Sequence, residues 1–172
     1  MAACGTVAVP APAREPQLIE IFVDGDACPV KDETYDVALR YGVRVVLVAN
    51  SHISVPRGLD VERIVVDAGP DAADDWIAEN LRPGDVVVTG DIPLAARCLE
   101  AGARVLGMNG RVFTEDSIGH QLATRELKAH LRETGVSSGG PPPIAAKDRS
   151  RFRSKLDELV QRGLREGRAG PM

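Results

Sequence analysis

The sequence predicts a three-layer α/β sandwich, in which helices cover both faces of a mostly parallel sheet of about five strands, followed by a basic C-terminal helix. Short runs of Val, Ile and Leu alternate along the chain with segments in which apolar residues recur at helical spacing. The runs are apolar throughout, as in parallel strands buried on both faces, and no tight hairpin turn is indicated between them. A length of 172 residues suits one such domain with a short appendage.

Each element has local support in the sequence. The predicted strands cover residues 18–23, 43–50, 61–66, 85–89 and 103–107. The predicted helices cover residues 30–41, 72–81, about 93–101, and 114 to about 133. Pro29 suits the first turn of a helix, Gly42 and Gly102 suit helix ends, and Thr114 suits an N-terminal cap. The alternation favours crossover connections between parallel strands.

The rest of the chain divides by composition. The predicted order is a disordered Ala/Pro tail at 1–17, the α/β domain at 18–134, a Gly/Pro linker at 135–147, a helix at 148–163 and a frayed tail at 164–172. Four apolar residues recur at helical spacing in the last helix: Phe152, Leu156, Leu159 and Val160. Because such an apolar stripe is normally buried, we expect this helix to pack on the domain.

Charge is divided unevenly between the body and the tail. Residues 1–124 carry 10 Lys and Arg against 19 Asp and Glu, a net charge of −9. Residues 125–172 carry 11 against 6, a net charge of +5. A basic tail on an acidic body can serve an anionic polymer such as RNA. It can equally dock on its own acidic body, and the sequence leaves both interpretations open.

Composition also argues against several classes of protein. No apolar run approaches the roughly 20 residues that cross a bilayer, and the first residues lack the charged and apolar regions of a secretory signal. Three widely spaced cysteines, Cys4, Cys28 and Cys98, do not make a disulfide framework. Aromatic residues make up only 3%, which argues against a surface that binds single strands mainly by stacking. We therefore expect a cytoplasmic protein with no membrane partner.

Acidic residues follow three of the predicted strands. They are Asp24 and Asp26 after the first strand, Asp71, Asp74 and Asp75 after the third, and Asp91 after the fourth. Sites in a parallel sheet form beyond the carboxyl ends of the strands, and carboxylates without His or Cys suit Mg²⁺ or Mn²⁺. Each Asp taken singly is also explained as a helix cap or turn residue. The convergence of three strand ends is what favours a site.

Seven segments of the chain, taken in order, resemble a known family. They are DGDACPVK at 24–31, ADDWI at 73–77, GDVVVTGDIPLA at 84–95, GARVL at 102–106, NG at 109–110, GGPPP at 139–143 and DRSRF at 148–152. These segments are similar to the YaiI/YqxD family of bacterial proteins, over about residues 18–161. That family is grouped by resemblance with PIN-like domains, many of which are metal-dependent ribonucleases. The resemblance implies a PIN-like fold and, as a hypothesis, nuclease activity.

The resemblance also implies roles for individual acids. Asp24, Asp74 and Asp91 would be the catalytic residues and would hold one or two Mg²⁺ or Mn²⁺ ions, with Asp26 and Asp75 as supplementary ligands. The candidate substrate-binding residues are Asn50, Thr89, Lys31, Arg97, Arg149, Arg151 and Arg153. Two of these, Lys31 and Arg97, also fit ordinary solvated helix positions. The expected substrate is RNA, contacted through its phosphates.

Other interpretations remain open. A PIN-like module that binds RNA or a protein without cutting would lack part of the acid set, and the sequence does not rank Asp71, Asp74 and Asp75 as the acid after the third strand. A haloacid-dehalogenase-type phosphatase would use Asp24 as nucleophile and Asp26 as acid/base, but it expects a Lys and a further Asp that this sequence does not place well. Cys28 precedes Pro29 at a helix start, where a thiol pKa can fall. A buried, inert thiol is the interpretation we favour, for Cys98 as well.

Overall fold

A computed structural model describes residues 19–25, 28–67, 69, 71–120 and 144–168. The strands in this part of the chain are β1 (Glu20–Asp24), β2 (Arg44–Ala49), β3 (Val61–Val65), β4 (Val86–Val88), β5 (Arg104–Leu106) and β6 (Val112–Phe113). The helices are α1 (Lys31–Tyr41), α2 (Ala72–Asn80), α3 (Ile92–Glu100), α4, described over residues 115–120, and α5 (Ala146–Arg168). The predicted tail at 1–17 and the predicted linker up to residue 143 lie outside the described residues.

The strands form one sheet in the order β3-β2-β1-β4-β5-β6. The first five strands are mutually parallel, and β6 is antiparallel to β5. The chain runs outward from β1 to β2 and β3, then returns to the other side of β1 as β4. The predicted three-layer α/β sandwich with a mostly parallel sheet is confirmed, and its connection order reverses between β1 and β4.

The central strand β1 is buried on both faces. Phe22 lies opposite Val46 of β2 and Val87 of β4, in the apolar layer that α2 and α3 cover. Its neighbours Ile21 and Val23 belong to the opposite layer, which α1 and α5 cover. This arrangement is the physical reason why the strands are apolar at consecutive positions, since alternate residues enter different layers.

A short hairpin between β5 and β6 was not predicted. In its turn, the Gly107 N–H donates to the Arg111 carbonyl at 2.8 Å, and the Gly110 N–H donates to the Gly107 carbonyl at 2.9 Å. Gly110 has a φ of +84°, a conformation that glycine adopts without steric cost. Asn109-Gly110 is itself a hairpin signal. The expectation of no tight hairpin is therefore wrong here, because the two residues of β6 are too few to show a strand pattern.

The start of α4 is as predicted. The Thr114 hydroxyl oxygen accepts a hydrogen bond from the Ser117 N–H at 3.1 Å, and the Ser117 hydroxyl oxygen accepts one from the Thr114 N–H at 2.9 Å. Each side chain satisfies a backbone donor of the other residue, which stabilises the first turn. The predicted extension of this helix to about residue 133 lies outside the described residues.

Helix α5 packs on the domain, as predicted, but it is longer than predicted. Phe152 and Leu156 are fully buried in the same layer as α1. The helix runs over Ala146–Arg168 rather than 148–163, so it includes two residues assigned to the linker and five assigned to a frayed tail. The second extension has a cause, because Leu164 packs against the buried layer and Glu166 pairs with Arg104.

Charged residues of α5 pair with those of α1. The pairs are Arg149–Glu33 at 3.1 Å, Arg153–Asp36 at 2.9 Å and Asp157–Arg40 at 2.6 Å. Pairs this exposed contribute little stability individually, but they align the two helices. They support the interpretation that the basic tail docks on its own acidic body.

Across the described parts of the chain, none of the helices combines the length and the apolar character that crossing a membrane requires.

We expect Phe152→Ala to lower the free energy of unfolding by about 3–5 kcal/mol, because it leaves a cavity in a fully buried layer. Urea denaturation followed by circular dichroism measures this change. Ser154→Ala, at an exposed position of the same helix, is the matched control and should change the free energy of unfolding by less than about 0.5 kcal/mol. Equal effects of the two substitutions would mean that α5 is not part of the core.

Candidate functional site

The candidate site lies at the carboxyl edge of the sheet, where the connection order reverses. Asp24 is the last residue of β1, and Thr89 directly follows β4, the neighbouring parallel strand. The loops that leave two such strands diverge to opposite faces of the sheet and open a crevice between them, which is where open α/β sheets bind ligands. The sequence predicts that the acids after separate strands meet at this edge, and the neighbours of Asp24 are the first test of that prediction.

A chain of hydrogen bonds joins the ends of β1 and β4. The Thr89 hydroxyl donates to Asp24 Oδ2 at 3.3 Å, and the same hydroxyl oxygen accepts the Asp91 N–H at 3.0 Å. Thr89 has no exposed surface. Its position therefore suits holding the Asp24 carboxylate in place, rather than the phosphate contact that the sequence suggested.

Asp91 has a structural task of its own. As the N-cap of α3, it accepts the Leu94 N–H on Oδ1 at 2.9 Å, which stabilises the first turn of that helix. The carboxylate also lies at the positive end of the helix dipole. The cap explanation offered for single acids is thus correct for Asp91, and its other carboxylate oxygen is not used by the cap.

The charges of the other two acids affect the pKa of Asp74. It lies in the first turn of α2 and is partly buried. The pKa of its carboxyl is raised from 3.8 to about 6, first by burial and then by the negative charges of Asp91, Asp24 and Asp71, in that order. Arg97 acts in the opposite direction. Asp24, Asp74 and Asp91 therefore form one electrostatic group at the reversal point.

The remaining acids are placed differently. Asp75 is 54% exposed and pairs with Arg97 of α3 at 2.8 Å, so both side chains serve a bridge between α2 and α3. Asp71 precedes α2 but makes no side-chain cap. Asp26 lies outside the described residues.

The donor chemistry suits a hard cation, although the acids do not form a closed ligand set. Within the described ranges, no three His, Cys, Asp or Glu side chains are grouped closely enough to hold a metal ion. Mg²⁺ usually keeps several waters and takes only one or two carboxylates from a protein. A site of this kind therefore does not need three grouped acids, and a cation would offset the charges of Asp91 and Asp24 that, after burial, raise the pKa of Asp74.

Two other predicted residues lie at the same edge. Lys31 is the first residue of α1, the helix that follows β1, and Asn50 is the exposed residue after β2. Their positions follow from the parallel order of the strands.

The three predicted arginines of α5 have different partners in the structure. Arg149 donates to the Pro29 carbonyl at 2.9 Å and to Glu33 Oε1 at 3.1 Å, and Arg153 pairs with Asp36. Arg151 instead lies 3.5 Å from Asp148 of its own helix.

Sequence reasoning did not select Arg111, which lines a pocket together with Arg151. Arg111 directly follows the Asn109-Gly110 turn. The Asn109-Gly110 turn could have drawn attention to Arg111 in the sequence. Only the fold shows that this turn lies beside α5.

The two described cysteines are inert, as favoured from the sequence. Burial raises the pKa of the Cys28 thiol to about 11 and that of the Cys98 thiol to about 12. Both side chains belong to the apolar layers, so neither is an activated nucleophile.

Comparison with known proteins identifies the family. The family model described as "Uncharacterized BCR, YaiI/YqxD family" matches residues 22–162, which include Asp24, Asp74 and Asp91. A UPF0178 protein of Bradyrhizobium diazoefficiens is 58% identical over 142 residues, which cover 83% of this chain and 85% of that protein. A UPF0178 protein of Brucella ovis is 57% identical over 155 residues, covering 90% and 96%.

A further relative and the solved structures complete the comparison. A UPF0178 protein of Caulobacter vibrioides is 56% identical over 145 residues, which cover 84% of this chain and 95% of that protein. No solved structure matches the chain. These descriptions name no activity, so the PIN-like grouping stays a prediction. With more than half of its length matched by the family model and its relatives aligned almost end to end, the chain belongs to the YaiI/YqxD family.

Proposed function

We propose that this protein is a divalent-metal-dependent nuclease that hydrolyses phosphodiesters of RNA at the carboxyl edge of its sheet. The observation that carries the proposal is the group of Asp24, Asp74 and Asp91 at the reversal point, with Asp24 and Asp91 joined through the Thr89 hydroxyl. The resemblance of these positions to the acids of PIN-like domains supports the same interpretation.

Asp24, Asp74 and Asp91 would hold Mg²⁺ or Mn²⁺. When bound, such an ion supplies a water of lowered pKa and stabilises the charge on the leaving oxygen. The protein orients two of the carboxylates in advance: Thr89 fixes Asp24 by its hydroxyl, and the α3 cap fixes Asp91 through Oδ1. This preorganisation removes side-chain freedom before a substrate arrives.

The protonation of Asp74 matters for the proposal. Without a cation, the pKa of its carboxyl is raised to about 6, so protons compete with a metal ion for this ligand near neutral pH. A bound cation would lower that pKa, as Arg97 on the neighbouring helix already does in part, so Asp74 would act as a ligand rather than as the general base.

A binding module without catalysis is the second candidate. It is favoured by the open ligand set, since no three acids among the described residues are grouped for a metal, and by the ordinary capping role of Asp91. A haloacid-dehalogenase-type phosphatase has less support, because its second acid would be Asp26, outside the described residues.

Metal binding tests the proposal directly. We expect calorimetric titration of Mn²⁺ to show saturable binding to the parent protein and a loss of at least about tenfold in affinity in Asp24→Asn. Asp60→Asn is the matched control, because Asp60 is an exposed residue at the opposite edge, paired with Arg44 at 3.1 Å. Absence of binding to the parent would leave Asp91 with its capping role alone and favour the binding module.

Cleavage of RNA tests the catalytic part. With Mn²⁺ present, the parent should cleave a labelled single-stranded RNA, and Asp91→Asn should not. Because Asn is as good an N-cap as Asp, this variant keeps the α3 cap and loses only the charge, which circular dichroism and thermal unfolding can verify. Cleavage by Asp91→Asn at the parent's rate would refute the assignment.

The raised pKa of Asp74 predicts a pH dependence of stability. Because the folded value of about 6 lies above the ordinary 3.8, the protonated carboxyl favours the fold, and this contribution is complete below 3.8 and lost as the pH rises through about 6. In EDTA, the free energy of unfolding of the parent minus that of Asp74→Asn should therefore fall over this range and then level off. Urea denaturation at several pH values measures it, and a difference independent of pH would contradict the prediction.

A further inference from the structure

A polar pocket of about 470 Å³ lies between the β5–β6 turn, the start of α4 and the first turns of α5. Its lining includes Arg111, Ser117, His120, Asp148 and Arg151, over the buried ring of Phe113. These residues come from three separate segments of the chain, so the pocket exists only in the folded protein.

The Asn109-Gly110 turn fixes the shape of this pocket. A Cβ at position 110 would lie 2.6 Å from the Phe152 backbone nitrogen and 2.8 Å from the Arg151 carbonyl carbon. Glycine therefore allows the turn to rest directly on the α5 backbone. Because Arg111 is the next residue and Arg151 lies under the turn, this close approach brings two guanidinium groups to one pocket.

Arg111 differs in charge pairing from the arginines of α5 that pair with acids. Arg149 and Arg153 are paired with acids of α1, and Arg162 is paired with Glu158 at 3.3 Å. The Arg111 guanidinium forms no hydrogen bond or ion pair with any described residue, and Arg151 has only the 3.5 Å contact to Asp148 within its own helix. The pocket thus keeps one positive charge that no acid among the described residues neutralises.

The pocket adjoins the acidic site. Both lie at the carboxyl edge, because β5 is parallel to β4 and directly beside it. The loops after these strands touch, since a Cβ at Gly90, the residue before Asp91, would lie 3.8 Å from the Met108 sulphur. A polymer with a regularly charged backbone that reaches the acids can therefore extend into the pocket.

We propose that this pocket binds a backbone phosphate of a single-stranded RNA whose scissile bond lies at the acidic site. Arg111 and Arg151 supply charge-assisted hydrogen bonds to the phosphate oxygens, and Asp148 orients Arg151 at the expense of some positive charge. The inference rests on the proposed nuclease function, but it assigns a separate phosphate site that does not depend on metal.

The test measures RNA affinity without cleavage. Fluorescence anisotropy of a labelled ten-nucleotide RNA is titrated with the full chain in EDTA, at several salt concentrations. We expect Arg111→Gln and Arg151→Gln each to weaken binding by at least about tenfold at low salt, and each to lower the slope of log K against log salt by about 0.7. Asp148→Asn should strengthen binding, because it removes the opposing charge.

Matched controls separate the pocket from diffuse charge. Arg153→Gln and Arg162→Gln remove arginines of the same helix that are paired with acids, and both should bind RNA as the parent does. If these controls weaken binding as much as Arg111→Gln, or if Arg111→Gln and Arg151→Gln bind normally, the proposal is overturned.

Two more arms identify the ligand and separate this proposal from the nuclease. Inorganic phosphate should compete with RNA for the parent protein but not for Arg111→Gln. If the pocket of the parent binds phosphate but the parent does not bind RNA, the assignment of an RNA ligand is overturned. Asp24→Asn should bind RNA in EDTA at least as tightly as the parent, because it removes a negative charge that repels the strand. If the parent cleaves RNA but Arg111→Gln binds RNA as tightly as the parent does, the phosphate pocket is refuted and the nuclease proposal stands. Pocket-dependent affinity without cleavage would refute the nuclease and keep the phosphate site.

Discussion

Burial of the parallel sheet on both faces is the constraint on which the rest of the structure depends. β1 lies in the middle, and its residues enter two different apolar layers, Phe22 in one and Ile21 and Val23 in the other. One layer is closed by α2 and α3, but α1 alone does not close the second. Helix α5 completes it with Phe152, Leu156 and their neighbours, so a segment far along the chain is part of the core.

That packing also determines what stands at the carboxyl edge. Because α5 runs alongside α1, its first turns come to the edge where β1, β4 and β5 end, and Arg151 arrives beside the β5–β6 turn. The reversal between β1 and β4 opens the crevice that holds Asp24 and Thr89. Structural packing and the candidate chemistry therefore share the same elements, and a loss of α5 would affect both.

The electrostatic design at this edge combines repulsion and attraction. Burial raises the pKa of Asp74, and the negative charges of Asp91 and Asp24 raise it as well. Arg97, which lowers the pKa of Asp74, is itself paired with Asp75. In the loop after the neighbouring strand β5, the Arg111 guanidinium forms no hydrogen bond or ion pair with any described residue. Acids that favour a cation next to arginines that favour an anion are what hydrolysis of a phosphodiester would use.

Local patterns were sufficient for most elements. The strand that ends at Asp24, the helix that ends before Gly42 and the Thr114 cap each depend on residues adjacent in the chain, so periodicity and turn residues predicted them. Strand β6 was not predicted, because its two residues are too few to show a periodic pattern of apolar side chains. The rule that parallel strands end at one edge was enough to predict that Asp24, Asp74 and Asp91 come together.

Tertiary structure alone decided the rest. Asp75 and Arg97 looked like site residues but pair with each other, and Arg149 and Arg153 pair with α1, because side-chain partners depend on which helix faces are opposed. Strand order placed β4 beside β1, and the contact of Gly110 with α5 joined Arg111 to Arg151. The sequence by itself determined the elements, the family and the acidic edge, since these depend on local composition. Which charges remain unpaired there depends on packing between segments some 40 residues apart or more, and only the fold decides that.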